Sequence, residues 1–434
     1  MDYLAGWMFL ALSLLLFVGF PVAFTLLGVS FVFGLVGFGW DFFNLLPLRI
    51  WGVMSNFTLV AVPLFVFMGV MLERSGMAQE LIEAMGALFG RLRGGLAVAV
   101  VVVGGLLGAS TGIVGATVVT MGLLALPTML ARGYAQELAT GTVAASGTLG
   151  QIIPPSIVLV LLGDIIGVSV GDLFVGALVP GLLLVCLYIG YIALRAHFAP
   201  ACAPASGGQE AGAVDAAALL RALLPPLALM VAVLGSIFSG IASPTEAAGV
   251  GAAGAMLLTV SKGRFSLAVL REVMEATTRL TSMVFIILCG AAAFGLVFRG
   301  LGGDMLVRDF VSHLPFGKWG VLVVVMAVVF VIGFFLDFIE ITFIHIPVLA
   351  PIMAHYGFDP LWFAVLFAVN LQTSFLTPPF GFALFYLKGT APPGVSTLAI
   401  YRGIVPFVLL QLAALALLVA FPGLVTWLPA FLAS

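Results

Sequence analysis

Long apolar runs separated by short polar interruptions dominate the chain, and the runs are continuous rather than alternating. Phe9–Gly19, Leu96–Leu107 and Val321–Ile332 have no in–out pattern of the kind a barrel strand shows. Several runs approach the roughly 20 residues needed to cross hydrocarbon as a helix. The pattern predicts five crossings in the first half, at about 4–19, 21–37, 56–73, 138–163 and 173–194. Their partners in the second half fall near 222–240, 244–260, 281–298, 361–386 and 404–426.

Between the third and fourth crossings of each half lies a longer apolar stretch, 94–126 and 320–350, broken in its middle at GASTG (108–112) and GFFLD (333–337). Two arms of about 14 residues would reach only about 21 Å, short of a core of about 30 Å. Each stretch therefore reads as a re-entrant hairpin that enters the bilayer and returns.

The halves resemble each other. At an offset of 224, Pro127 aligns with Pro351, Gly133 with Gly357, Tyr134 with Phe358, and Pro154-Pro155 with Pro378-Pro379. At 223, Pro21 meets Pro244 and Gly28 meets Gly251. The polar stretch 197–215 (HFAPACAPASGGQEAGAVD) is the one clear linker. The expected organisation is a first repeat at 1–196, a cytoplasmic linker at 197–216 and a second repeat at 217–434. An odd number of crossings per half inverts the second repeat relative to the first.

Composition sharpens this picture. Of 434 residues 63% are hydrophobic and 8% charged, and mean hydropathy is +1.29, far from the roughly one-quarter charged residues of soluble domains. The expected fold is an all-α polytopic membrane protein made of two inverted repeats. With the N-terminus outside, twelve Lys and Arg fall inside. Only Arg49, Arg299, Arg308 and Lys318 fall outside, the asymmetry of the positive-inside rule. Both termini are then expected on the periplasmic side of a bacterial inner membrane. The acidic start (MDYLAGW) lacks the basic region of a secretory signal, so the first helix reads as retained. No basic cluster points to nucleic acid. Cys186, Cys202 and Cys289 lack metal or redox spacing and read as apolar packing.

Broken helices free backbone groups that lipid cannot satisfy, so they persist only when buried or lining a cavity. Carbonyl ends suit a hard cation, and helix N-termini suit an anion. Four breaks qualify. They are the tip with Ser110 and Thr111, the SGTLGQIIPPS segment (146–156), the tip with Asp337 and Glu340, and NLQTSFLTPPFG (370–381). Pro-Pro removes two donors and clashes with the preceding turn. Candidate substrate-binding residues are Ser110, Thr111, Asn370, Gln372, Thr373 and Ser374. Candidate cation ligands are Thr148, Gly150, Pro154, Asp337, Thr377 and Pro378. Against these stands the plainer reading that membrane Ser and Thr bond back to their own helix or pack between helices. Carboxylates at the bilayer centre are costly, by about 2.5–3.5 kcal/mol on insertion scales, which makes Asp337 and Glu340 the stronger signals. His345, flanked by apolar residues, reads as a core histidine.

In these motifs the chain resembles the large membrane subunit of tripartite ATP-independent periplasmic (TRAP) transporters. PTMLARGY (127–134), TLGQIIPPS (148–156), SPTEAAG (243–249), Leu336-Asp337 and 370–381 carry the resemblance over nearly the whole length. The sequence around the tips is similar to the branch labelled mannitol/chloroaromatic compound transport, a label that does not name the substrate. The resemblance implies a Na⁺-driven organic-acid importer with an elevator-type movement and no tightly bound cofactor. It also implies two partners, a small four-helix membrane subunit and a periplasmic solute-binding protein. Many members carry a serine-rich first tip, whereas this chain has Thr111-Gly112-Ile113-Val114, leaving carbonyls and the Ser110 and Thr111 hydroxyls as donors. A stand-alone Na⁺/carboxylate symporter is the alternative. An intramembrane hydrolase built on GAST (108–111) and His345 is a distant one, because no oxyanion-hole pattern accompanies those residues.

Overall fold

Local sequence signals set where the helices begin. The segment Ser243–Glu246 forms a capping box: Glu246 N–H donates to Ser243 Oγ at 3.3 Å and Ser243 N–H donates to Glu246 Oε2 at 2.8 Å, with Pro244 in the first turn. Asp359 caps another helix by accepting from Trp362 N–H at 2.9 Å, with Pro360 next in line. The computed structural model describes residues 3–90, 92–112, 114–205, 216–313, 315, 317–378 and 381–432. Arg91, Ile113, Pro379 and linker residues 206–215 lie outside the described residues, as does the side chain of Ser110.

The described residues are helical with irregular connections. The first half contains α1 (Leu4–Val18), α2 (Val22–Phe38), α3 (Leu46–Met54), α4 (Ala61–Arg74), α5 (Met77–Phe89), α6 (Gly95–Thr111), α7 (Val114–Ala131), α8 (Gln136–Thr148), α9 (Ile157–Ile166) and α10 (Val170–Phe198). The second half contains α11 (Ala216–Phe238), α12 (Pro244–Ser261), α13 (Leu267–Gly300), α14 (Gly303–Ser312), α15 (Lys318–Ile332), α16 (Phe338–His355), α17 (Pro360–Leu376), α18 (Phe382–Thr390), α19 (Thr397–Ala420) and α20 (Gly423–Leu432). The order repeats element by element, with α3 and α4 together standing where α13 stands and α20 added at the end. Packing is reciprocal as well. α12 lies along α4 as α2 lies along α13, and α18 packs on α7 as α9 packs on α16. Such exchange is what a pseudo-two-fold relation produces.

Two bodies result. α1–α4 and α11–α13 form a frame, in which α4 and α13 pack against each other. The hairpins α6–α7 and α15–α16 pack with α8–α10 and α17–α20 into a bundle against it. Both hairpins close at their base. Tyr134 OH accepts from Leu96 N–H at 3.2 Å in the first, and Lys318 Nζ donates to Gly357 O at 2.9 Å in the second. The bases sit at opposite ends of α13. Near the α13 start, Arg74 pairs with Glu272 at 3.3 Å and Lys262 with Glu80 of α5, the helix leading into the first hairpin. Beyond the α13 end, Arg308 of α14 contacts His355 at the close of the second, 2.8 Å apart.

Several boundaries differ from the expected ones. The arms hold 17 and 18 residues in the first hairpin and 15 and 18 in the second, longer than expected but still only about 22–27 Å. Among the described residues six helices are individually long and apolar enough to cross a membrane, and two of them, α7 and α16, are these returning arms. The third crossing is a bent pair, Trp40–Met54 with Thr58–Arg74, turned by 56°. Its partner α13 is not 281–298 but 34 residues long, because a charged amphipathic segment with Arg271, Glu272, Glu275 and Arg279 extends the apolar part. The crossing expected at 404–426 ends at Ala420, and Pro422 separates it from α20. The start of the expected linker is docked rather than free, since Ala203 O accepts from Gly94 N–H and Cys202 O from Ala135 N–H, both at 3.0 Å. Cys186 does not pack inside; it is exposed on α10.

Candidate functional site

Each break has a local cause. At the first tip α6 ends in the left-handed Gly112 (φ 62°), whose N–H donates to Gly108 O at 2.7 Å, a conformation that side-chain-bearing residues rarely adopt. The Thr111 and Thr117 hydroxyls, both buried, lie 2.7 Å apart. In the neighbouring broken helix α8 gives way to a 3-10 turn, Leu149–Gln151, and helix resumes at Ile157. Pro154 has no N–H for Gly150 O, and Gln151 O takes the Ser156 hydroxyl instead at 2.6 Å.

The second tip ends differently. Asp337 is the N-cap of α16, with Phe338 N–H donating to Asp337 Oδ1 at 2.8 Å and Asp337 N–H donating to Glu340 Oε2 at 3.1 Å. In the matching broken helix α17 stops at Leu376 and Thr377 is extended. Its Oγ1 donates to Thr373 O at 2.8 Å, and Gly381 N–H donates to Thr377 O at 3.1 Å.

The four breaks meet. Gly108 and Gly150 touch so closely that a Cβ on either would collide with the other's backbone, and a Cβ on Gly333 would collide with the Ser374 side chain. Gln372 Nε2 donates to Thr148 Oγ1 at 3.4 Å, joining two residues 224 apart, the spacing of the internal repeat. In front of them lies a cavity of about 380 Å³. Its bundle wall is built from the first turns of four helices, through Val114 and Gly115 (α7), Ile157 (α9), Asp337–Glu340 and Phe382. Its frame wall comes from Val66 of α4 and Leu280, Met283 and Val284 of α13. No Lys or Arg lines it.

Of the candidate residues, Asp337 borders this cavity, and the others sit behind its wall or in the contacts that shape it. Asn370 Nδ2 donates to Met326 O at 2.8 Å and ties α17 to α15. Thr148, Thr373 and Ser374 donate to Ala145, Val369 and Leu371 carbonyls within their own helices. Gly150 and Pro154 are buried in the first break, and Thr377 and Pro378 are half-buried in the second. His345 is buried, with Nδ1 3.3 Å from Ile341 O and its ring edge-on to Phe9. Sequence reasoning missed the frame wall and Tyr386, which also faces the cavity. It also missed that both amide atoms of Gln151 and Oε1 of Gln372 are buried with no hydrogen-bond partner. Buried amides that lack partners are uncommon and call for a reason.

A family model described as "Tripartite ATP-independent periplasmic transporter, DctM component" matches residues 9–424. The chain belongs to the DctM family of TRAP transporter subunits. It is 33% identical over 409 residues to the C4-dicarboxylate TRAP transporter large permease protein of Pseudomonas aeruginosa, covering 94% of each chain. It is 29% identical to the ectoine/5-hydroxyectoine TRAP large permease of Ruegeria pomeroyi, covering 98% of both, and 29% identical to the sialic acid TRAP large permease of Vibrio cholerae, covering 96% of both. A solved structure of the YdaH transporter of Alcanivorax borkumensis shares the fold, with a TM-score of 0.66 at 18% identity, covering 96% of this chain and 99% of that one. As a DctM-family large permease subunit, the chain is a multi-pass membrane transport protein and not an enzyme.

Proposed function

We propose that this permease subunit imports an organic acid across a bacterial inner membrane, driven by Na⁺. In this reading a periplasmic solute-binding protein delivers the acid, and a small four-helix subunit completes the membrane unit. One observation carries the proposal: four helix breaks, two from each half of the chain, converge on one cavity between bundle and frame; we read the halves as inverted repeats, 1–196 and 217–434, joined by 197–216. That is where secondary transporters of repeat architecture bind their cargo. The placement also supports an elevator movement, in which the bundle carries the cavity along α4 and α13. Both termini lie in the periplasm under the same charge asymmetry.

An anion in a cavity without Lys or Arg needs other compensation. The first turns of α7, α9 and α18 direct backbone N–H groups toward it. Na⁺ supplies the rest, as cargo held by oxygen donors. We assign it to two places, one around Thr148, Gly150 and Pro154 and one around Asp337, Thr377 and Pro378. The acceptor atoms that fit this role are Gly150 O, which loses its helical donor, and the orphaned Gln151 Oε1 and Gln372 Oε1. Substrate contacts fall to the cavity wall, which the end of α6 with Ser110 and Thr111 supports from behind. Asn370, Gln372, Thr373 and Ser374 act from behind that wall.

The relatives named above provide the acids to try: a C4-dicarboxylate, sialic acid and ectoine. Proteoliposomes holding this chain and the small subunit, supplied with the binding protein, should accumulate one such acid under an inward Na⁺ gradient. Equal uptake without the gradient would sink Na⁺ coupling. Full uptake by this chain alone would favour the stand-alone symporter.

A further inference from the structure

A second and larger cavity, about 590 Å³, lies between α3 and the far end of α13. Two cations, Arg49 and Arg299, line it. Arg299 Nε donates to Gly295 O at 3.1 Å, and neither guanidinium has an ion-pair partner among the described residues. Asp164, the one acid in the lining, is already held by Asn56 Nδ2 at 2.5 Å. The other two cations assigned to the outer face are occupied, Arg308 with His355 and Lys318 with Gly357 O. Cations are scarce on that face, so two of them open to one cavity form a local positive field.

The position of this cavity gives the field a use. Leu288, Ala292 and Leu296 line it, while Leu280 and Val284 line the central cavity, all at four-residue spacing on α13. These residues trace a stripe that winds around α13, with Arg299 about 22 Å along the axis from Val284 at the near edge of the central cavity. In the lining of the outer cavity the Asn56–Asp164 hydrogen bond joins the α3–α4 elbow of the frame to α9 of the bundle.

We infer that Arg49 and Arg299 form an outer receiving station for a carboxylate, which binds there before it moves along α13 into the cation-free central cavity. This rests on the orientation and transport reading given under Proposed function. Focused positive potential raises local anion concentration and the rate of encounter. The Asn56–Asp164 bond holds the frame and bundle sides of the station together in this conformation.

The test reads the electrostatics of the station directly. Gly52 lines it, and a Cβ there meets nothing within 4 Å, so Gly52→Cys is tolerated; Leu48→Cys serves as a second reporter. Both are made in a full-length parent carrying Cys186→Ser, Cys202→Ser and Cys289→Ser, expressed in cells with its partner subunits. The probes are anionic sulfonatoethyl and cationic trimethylammonioethyl methanethiosulfonate, each rate normalised to that for a free thiol. The anionic reagent should react at least ~10-fold faster than the cationic one. Arg49→Gln with Arg299→Gln should bring the ratio to one or below, because Asp164 remains in the lining, and acetate, but not acetamide, should slow the anionic reagent at constant ionic strength. A ratio near one in the parent, or one unmoved by losing both arginines, overturns the station. Labelling only in inside-out vesicles, with the charge preference intact, overturns instead the assigned orientation and with it the entry route.

Discussion

The two hairpin tips each press against a broken helix but are built differently. At the first, backbone meets backbone: Gly108 lies on Gly150, the hydroxyls of Thr111 and Thr117 satisfy each other, and no charge is present. At the second, a glycine meets a side chain, Gly333 against Ser374, and two carboxylates cap the following helix. The shared part is the close approach of a tip to a broken helix, which leaves main-chain groups facing a buried site. The side chains around that approach are free to differ, so the repeat passes on geometry rather than a ligand set.

The sharpest way to break that comparison is to add one carbon at each approach. Gly150→Ala places a Cβ against Gly108 backbone, which no rotamer change relieves. Overpacking of this kind costs about 1–3 kcal/mol. The expected outcome is a lower melting temperature in detergent and abolished uptake. Gly333→Ala meets mainly the Ser374 side chain and should be milder. Adding Ser374→Gly should restore its melting temperature, whereas no partner substitution rescues Gly150→Ala. Equal severity at the two tips, or failure of the Ser374→Gly rescue, would show that the approaches do not differ in kind.

Much of this geometry was legible in the sequence because it is written in punctuation. Pro154-Pro155 and Pro378-Pro379 mark two of the breaks, and their shared register betrays the repeat, although Pro225-Pro226 sits inside the continuous α11 and shows that Pro-Pro alone does not decide a break. What the sequence concealed follows from the same logic. Val66, Met283 and Val284 form the frame wall of the cavity, but an apolar residue in an apolar helix carries no mark of facing a site rather than lipid. The amphipathic helices α5 and α14 and the charged start of α13 went unseen because a search for hydrophobic spans stops where charge begins. Asp337 drew notice for its charge, yet its helix-capping geometry emerges only with Glu340 placed three residues on.

That capping role makes the second tip a place where structure and ion binding are to be separated. Asp337→Ala removes the cap and should cost about 0.5–2 kcal/mol, whereas Asp337→Asn keeps an acceptor and should melt close to the parent. If the carboxylate also serves Na⁺, both variants raise the Na⁺ concentration for half-maximal uptake by about tenfold, equivalent to about 1.4 kcal/mol. Parental Na⁺ dependence in Asp337→Asn would reduce Asp337 to a helix cap. No matching substitution exists at the first tip, whose donors are carbonyls and hydroxyls.

The smallest expected effect lies where the repeats touch, at Gln372 and Thr148. Their hydrogen bond, at 3.4 Å, is long, and polar pairs between membrane helices average ~0.6 kcal/mol. A double-mutant cycle of Thr148→Val and Gln372→Leu should give a coupling of about that size in thermal stability. Gln372 Oε1 has no hydrogen-bond partner in its buried position, so exchanging the amide for leucine also removes an unsatisfied acceptor. Gln372→Leu should therefore leave the melting temperature unchanged or raise it. Uptake should still fall, because an acceptor that weakens the fold when empty helps hold a cation in transit. If stability and uptake fall together, the amide belongs to the packing between the repeats and the cation assignment at this position is lost.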